Sequence, residues 1–224
     1  RKVYAYVAGQ SQDITPIRET ATLVNAITTT NTSATLTISD SSHGADVGDF
    51  VTLSSVSANV GGILSTVLDA EYEILTITNA SAYTVLSSAT ATSTVGPTAN
   101  CTATYQLNIG PSEQTFGYGW GSGTWSTSTW GTARATSNVT LDARLWSINN
   151  WGEDLVITQK DGGTYEWDTS GGMSGNRATV IANAPTTSTL SMISTETRHV
   201  VCMGTETTIS SPATQDKMFI RWSD

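Results

Sequence analysis

The chain has 224 residues, of which 38% are hydrophobic and only 13% are charged. Nineteen acidic residues against ten basic ones give a formal net charge of −9, so nonspecific binding to nucleic-acid phosphates or anionic membranes is not expected. Few charges also leave few ion pairs for surface helices, whereas abundant Ser, Thr and Gly suit strands and turns. No apolar run approaches the roughly 18 residues of a membrane span. We therefore predict an all-β chain without a membrane segment or a cofactor.

Residues 1–18 predict a strand, a Gly-containing turn and a second strand, at residues 2–7 and 12–17. The chain begins at Arg1 without an initiator Met and stops after a strand-like pattern that ends at Asp224. We therefore expect it to be a piece of a longer protein.

Residues 19–107 differ in composition, being poor in Trp and rich in Thr, Ser and Ala. Apolar and polar residues alternate with the period of a strand in five stretches, namely 34–39, 50–56, 72–78, 83–87 and 101–107. Turn residues precede the second stretch. We predict a small β-barrel or sandwich inserted into the rest of the chain. Its two ends, Arg18 to Glu19 and Leu107 to Gly110, should then lie close together.

The remaining part, residues 108–224, begins with a segment in which Trp120, Trp125 and Trp130 recur every five residues among Gly, Ser and Thr. That spacing is neither helical nor strand-like, so we predict a loop. The favoured interpretation is that its indoles cap a β-propeller or seal a subunit contact, and the alternative is that they stack on a ligand such as a sugar.

A weak internal repeat relates residues 2–7, 163–168 and 217–224, each a strand rich in aromatic side chains. Matching strands precede the last two, at residues 155–158 and 199–203, and a further strand is predicted at 177–182. Trp167 and Trp222 are 55 residues apart, whereas Leu155 and Val200 are 45 apart. Propeller blades repeat every ~40–50 residues, so we predict a partial β-propeller in residues 1–18 and 108–224. Trp167 and Trp222 should occupy equivalent buried places.

The candidate catalytic residues are carboxylates. Glu153, Asp154, Glu166 and Asp168 fall together across a predicted hairpin, as a pair of glycosidase carboxylates would, but their position beside Gly turns favours backbone capping.

Metal and thiol chemistry is equally unsupported. His43, Asp46 and Asp49 have the spacing of a tight turn more than that of a metal site, and His199 has no nucleophile spaced for a triad. Cys101 and Cys202 are interpreted as buried free thiols, a disulfide being the alternative. We predict no catalytic, cofactor or metal site, and no enzymatic activity.

Several motifs follow one another in a known order. Residues 145–168 read LWSINNWGEDLVITQKDGGTYEWD, and RHVVCMGT at 198–205 and FIRWSD at 219–224 come after them. This part resembles a family of tailed-bacteriophage virion proteins, as does the Trp-rich loop. The inserted segment resembles a second phage-associated β module through His43-Gly44, Gly48-Asp49 and Gly61-Gly62-Ile63. Neither resemblance implies catalytic residues in this chain.

The resemblance implies a structural protein of the virion tail or neck, a homo-oligomeric ring forming a nozzle-like wall around the DNA exit channel. Its expected partners are adaptor and portal proteins, and genomic DNA would pass without specific binding. The acidic composition suits such a conduit. Two alternatives stay open: a host-contact, glycan-binding baseplate or fibre-associated module, and an extracellular carbohydrate-binding module outside any phage.

Overall fold

The computed structural model describes residues 2–7, 9–109, 145–170, 172 and 175–223. The all-β prediction is confirmed, because the described residues contain seventeen strands, one four-residue α-helix and a short 3₁₀ turn at Pro212–Thr214. The elements are β1 (Tyr4–Val7), β2 (Gln10–Asp13), β3 (Ile17–Leu23), β4 (Ile27–Thr29), β5 (Thr35–Ser39), β6 (Phe50–Ser54), α1 (Ser65–Leu68), β7 (Glu71–Asn79), β8 (Ala82–Leu86), β9 (Val95–Thr98), β10 (Cys101–Gln106), β11 (Trp146–Trp151), β12 (Asp154–Gln159), β13 (Thr164–Trp167), β14 (Thr179–Val180), β15 (Leu190–Ile193), β16 (Val200–Met203) and β17 (Ile220–Trp222). No helix of the described residues is long and apolar enough to span a membrane.

These strands form four sheets, in which every neighbouring pair is antiparallel. β1 and β2 form a hairpin sheet. The module sheet has eight strands in the order β3-β10-β6-β7-β8-β5-β4-β9. A four-stranded sheet, β11-β12-β13-β14, and a three-stranded sheet, β15-β16-β17, complete the set. None of the sheets closes on itself, so the inserted segment is not a closed barrel.

The alternation of apolar and polar residues along the strands explains which face of the module sheet is buried. Along β5 and β6 every second side chain is buried, and the buried set includes Leu36, Ile38, Val51 and Leu53. These side chains share one hydrophobic core with those of β7, β8, β10 and α1. A strand pattern with one apolar face is stable only when that face is covered, and here the curled sheet covers its own face.

The module sheet leaves and rejoins the rest of the chain at one place. Gln106 of β10 pairs with Ile17 of β3, and the Leu107 N–H donates to the Pro16 carbonyl at 2.8 Å. Gly110 lies outside the described residues. The module strands begin at Ile17, two residues before the predicted boundary.

One predicted strand, residues 12–17, is wrong. Asp13 ends β2 because its carboxylate accepts the Thr15 N–H at 2.9 Å, which turns the backbone. Pro16 has no N–H to continue a ladder, and β3 starts after it. The predicted strand at 177–182 is likewise shorter, with only Thr179–Val180 paired. β3, β4, β9 and β15 were not predicted.

The three smaller sheets stack in the order hairpin, four-stranded, three-stranded. Ile157, Tyr165 and Trp167 on one face of the four-stranded sheet share a cluster with Val3 and Ile14 beside the hairpin strands. On the opposite face Val156 packs with Val200 and Cys202 of β16. Hydrogen bonds join the same face to the three-stranded sheet, as between the Thr158 and Ser191 hydroxyls at 2.8 Å. Face-to-face stacking of small antiparallel sheets is what propeller blades do, although a closed propeller is not shown.

The predicted equivalence of Trp167 and Trp222 is wrong in burial. The register differs by one residue, since Trp167 pairs with Leu155, whereas Trp222 pairs with Val201 and not with Val200, the residue that the repeat aligns with Leu155. Trp167 is 3% exposed, whereas Trp222 is 72% exposed. Val200 and Cys202 take the face of β16 that meets the four-stranded sheet, so Val201 and its partner Trp222 lie on the opposite, outer face.

Candidate functional site

The four candidate carboxylates, Glu153, Asp154, Glu166 and Asp168, lie towards the end of the four-stranded sheet at which β11 turns into β12. Asp154 caps a turn, because its Oδ1 accepts the N–H of Thr169 at 2.8 Å and the hydroxyl of Thr169 at 3.1 Å. Asp168 does the same for the Ser170 N–H at 2.7 Å. Gly152, with φ of +77°, closes the preceding β11–β12 turn beside Glu153. Two of the four carboxylates therefore hold backbone in place.

Glu166 differs from its neighbours. Burial, followed by the charges of Asp154 and Asp168, raises the pKa of its carboxyl above the usual value. Hydrogen bonds to Ser170 lower the pKa of the exposed Asp168 instead. A carboxyl with a raised pKa beside an ionised one is what acid–base catalysis needs, so Glu166 is the residue to test for a reaction.

A cavity of about 480 Å³ lies between the four-stranded and three-stranded sheets. Its walls are mostly apolar, with Trp151, Ile181, Pro185, Val200 and Ile209 among them. The Arg221 guanidinium also borders it, but is engaged by the carbonyls of Glu206 and Thr207 at 3.0 and 2.8 Å. No carboxylate or histidine lines this cavity, so the four candidate carboxylates and the cavity do not form one site.

In the turn that contains His43, Asp46 and Asp49, these side chains form hydrogen bonds within the protein. Nδ1 of His43 accepts the Ala45 N–H at 3.1 Å, so Nε2 is the nitrogen that donates to the Asn79 carbonyl, also at 3.1 Å. Asp49 accepts the Asp46 N–H at 2.8 Å. Within the described ranges no group of three or more His, Cys, Asp or Glu side chains could hold a metal ion.

The two cysteines are buried and free, as predicted. Burial raises the pKa of the Cys101 thiol to about 11, and burial also raises that of Cys202. Both thiols are therefore poor nucleophiles near neutral pH. Trp120, Trp125 and Trp130 lie outside the described residues.

Two polar features were not predicted. Glu206 is fully buried, and its carboxylate accepts the backbone N–H groups of Thr186, Thr187 and Ser210 at 2.8–2.9 Å. Burial opposes its ionisation, but these hydrogen bonds outweigh burial and hold the pKa of Glu206 below its usual value. A lone Glu in a Thr-rich stretch gives no sequence signal for such a role.

The second unpredicted feature is an ion network that joins the module to the smaller sheets. Arg177 lies 2.8 Å from Asp13 and 3.4 Å from Glu71 of β7, and Lys2 pairs with both of the same carboxylates. The Lys2 ammonium also lies 4.0 Å from the centre of the Phe50 ring. The network is formed by residues far apart in sequence, so only the fold reveals it.

Comparison with known proteins adds one weak likeness. No protein-family model matches the chain, and no curated protein matches it. Among solved structures the chain is similar to a phage phi92 endosialidase, with a TM-score of 0.34 and 15% identity. The alignment covers 95% of this chain and 32% of that protein. So low a TM-score and identity do not establish a common fold.

Proposed function

We propose that this chain is a non-catalytic structural component of a bacteriophage virion, in the tail or neck, where it forms part of a nozzle-like wall around the DNA exit channel. The observation that carries the proposal is the order of the motif segments. The 145–168 motif supplies β11, β12 and β13, RHVVCMGT supplies β16, and FIRWSD supplies β17. The residues that resemble phage virion proteins are thus the strands of two consecutive stacked sheets.

Charge and carboxylate placement support the same role. A net charge of −9 disfavours binding of a passing DNA duplex. Asp154 and Asp168 act as turn caps, so two of the four candidate catalytic carboxylates have a structural use. A glycosidase would instead hold two carboxyl groups across a substrate cleft.

The enzymatic alternative is tested first with the purified chain. We expect no hydrolysis in a broad glycan screen. The single variant Glu166→Gln removes the carboxyl whose pKa is raised, and Glu73→Gln, at an exposed position of β7, is its matched control. Hydrolysis by the wild-type chain that disappears only in Glu166→Gln, with the fold intact by circular dichroism, would overturn the non-catalytic role.

The virion role is tested by complementation of a phage that lacks this gene product. Replacing Glu153, Asp154, Glu166 and Asp168 together should abolish no reaction, and any damage should appear as failed folding or failed particle assembly. Wild-type protein should be found in purified tails by mass spectrometry. Its absence from particles, together with specific retention of a glycan on an array, would favour the host-contact alternative.

A further inference from the structure

The module and the stack of three smaller sheets are two bodies with separate cores. Within the described residues, no strand of the module sheet pairs with a strand of the other sheets. The module core is one cluster of buried side chains, and it shares no residue with the two clusters that lie between the stacked sheets. Each body is therefore held together without the other, and their relative orientation depends on the contacts between them.

The backbone passes between the two bodies at a joint formed by Pro16 and Leu107. The ladder of β3 and β10 ends there, with the Leu107 N–H donating to the Pro16 carbonyl. A tether lies directly beside the joint, where the Asn108 side chain donates to Asp46 at 3.0 Å and the Asn108 carbonyl accepts from the Gln159 amide at 2.8 Å. Hinges in proteins are a few such residues at the ends of elements. Contacts this close to a joint do little to oppose rotation about it.

A group of charged side chains meets away from the joint. Lys2 and Arg177 of the stack both pair with Glu71 of the module, and the Arg177–Glu71 distance is 3.4 Å. The same two cations pair with Asp13, at 3.3 and 2.8 Å, and the Lys2 ammonium lies on the Phe50 ring of β6. Glu71 begins β7, which is two strands from β10 in the module sheet, or roughly 10 Å. We call Lys2, Asp13, Glu71 and Arg177 the ionic clasp.

The charge balance of the ionic clasp depends on Glu71. The stack supplies two cations and one carboxylate, a net charge of +1, and Glu71 from the module neutralises it. The side chains of Lys2, Asp13 and Arg177 are 12%, 16% and 20% exposed, whereas that of Glu71 is 33% exposed. Partly buried ions are costly without a partner, which favours the closed clasp. Glu71 is the member that salt reaches most easily.

We infer that the ionic clasp is a conformational lock, which sets the orientation of the module and releases it when Glu71 is neutralised or screened. With the clasp closed, the module is held in the orientation of this structure. With the clasp open, the module turns about the joint of Pro16 and Leu107 while both bodies stay folded. The lock responds to ionic strength and to a basic surface that competes for Glu71. It goes beyond the proposed function, which requires no movement of the module.

The first test measures the distance between the two bodies by double electron–electron resonance. Spin labels are attached at Val24→Cys in the module and Ile148→Cys in the four-stranded sheet, where the native residues are 69% and 49% exposed. The native thiols stay unlabelled because they are buried and the pKa of each is raised. Glu71→Gln should increase the fraction of molecules outside the wild-type distance peak by at least about threefold, as expected for loss of a partly exposed ion-pair network.

The matched control is Glu73→Gln, two residues along the same strand. It makes the same change of charge at an exposed position that has no ion pair within the described residues, so the distance distribution should stay as in wild type. Circular dichroism checks that each variant is folded. A Glu71→Gln distribution identical to that of wild type in low salt would overturn the inference. Equal broadening in both variants would do the same, because it would show a general effect of charge.

The second test changes only the salt concentration. Between about 0.01 M and about 1 M salt the Debye length falls from about 30 Å to about 3 Å. The wild-type distance distribution should be narrow at the first concentration and broad at the second, whereas that of Glu71→Gln should be broad at both. A wild-type distribution that does not change over the series contradicts a lock that opens on screening.

These measurements use the purified chain, so they are independent of the proposed function. A module that keeps one orientation in every variant, in a chain that is still incorporated into tails, removes the lock and leaves the virion role standing. A chain whose module is released by Glu71→Gln but which is absent from particles does the reverse.

Discussion

Trp167 is the side chain whose removal tests the stacking of the sheets most directly. It is 3% exposed and shares a cluster with Val3, Ile14 and Ala178, and its indole N–H donates to the Asn176 carbonyl at 3.2 Å. Trp167→Ala deletes a buried bicyclic ring and leaves that carbonyl without its donor. We expect the free energy of unfolding to fall by about 3–5 kcal/mol. Trp167→Phe keeps an aromatic ring, so it should cost only about 1–2 kcal/mol.

The matched control is Trp222→Ala, which removes the tryptophan of β17, the strand that corresponds to β13 in the predicted repeat. Because that indole is 72% exposed, the change should stay within about 0.5 kcal/mol when the chain is dilute enough to be monomeric. A chain with several sheets need not unfold in two states, so urea denaturation is paired with native-state hydrogen exchange at the β12 and β13 amides. A Trp167→Ala chain within 1 kcal/mol of wild type, a margin well below the ordinary aromatic-to-alanine cost, would refute the packing argument.

Two further changes test local features. Glu206→Gln removes the charge that three backbone N–H groups share, so it should cost about 2–3 kcal/mol at neutral pH. Because folding lowers the pKa of Glu206 from 4.5, this difference should be complete above that pH and should vanish as the pH falls through the folded-state pKa. Urea denaturation at a series of pH values from 7 downward measures it, and a difference that does not decline with falling pH contradicts the assignment. Gly61→Ala should lower the free energy of unfolding by about 1–3 kcal/mol, and with it the melting temperature. The φ of Gly61 is +57°, and a Cβ there would lie 2.9 Å from the Ser93 carbonyl oxygen. An unchanged melting temperature would show that the turn relaxes freely.

Local chemistry was sufficient to predict five of the eight strands of the module sheet, β5, β6, β7, β8 and β10. Leu36, Ile38, Val51 and Leu53 alternate with polar residues, and this period of two is a property of the backbone itself, so it appears in the sequence before any tertiary contact forms. The near absence of helix follows in the same way from the scarcity of charged residues and the abundance of Ser and Thr. The burial of both cysteines as free thiols was also predicted from their strand-like neighbours.

Which partner covers each face was decided only by the tertiary structure. Alternation shows that one face of a strand is apolar, but β16 is apolar on both faces, so the pattern of Val200 to Met203 leaves open which residues meet the four-stranded sheet. A shift of one residue turns every side chain to the other face, and the pairing of Trp222 with Val201 instead of Val200 is such a shift, which places Trp222 outward. The Glu206 and Arg177 interactions were beyond prediction for a related reason. Apart from Ser210, which is four residues from Glu206, their partners are brought together by chain folding over 19 to 164 residues of sequence, and no local pattern records such a distance.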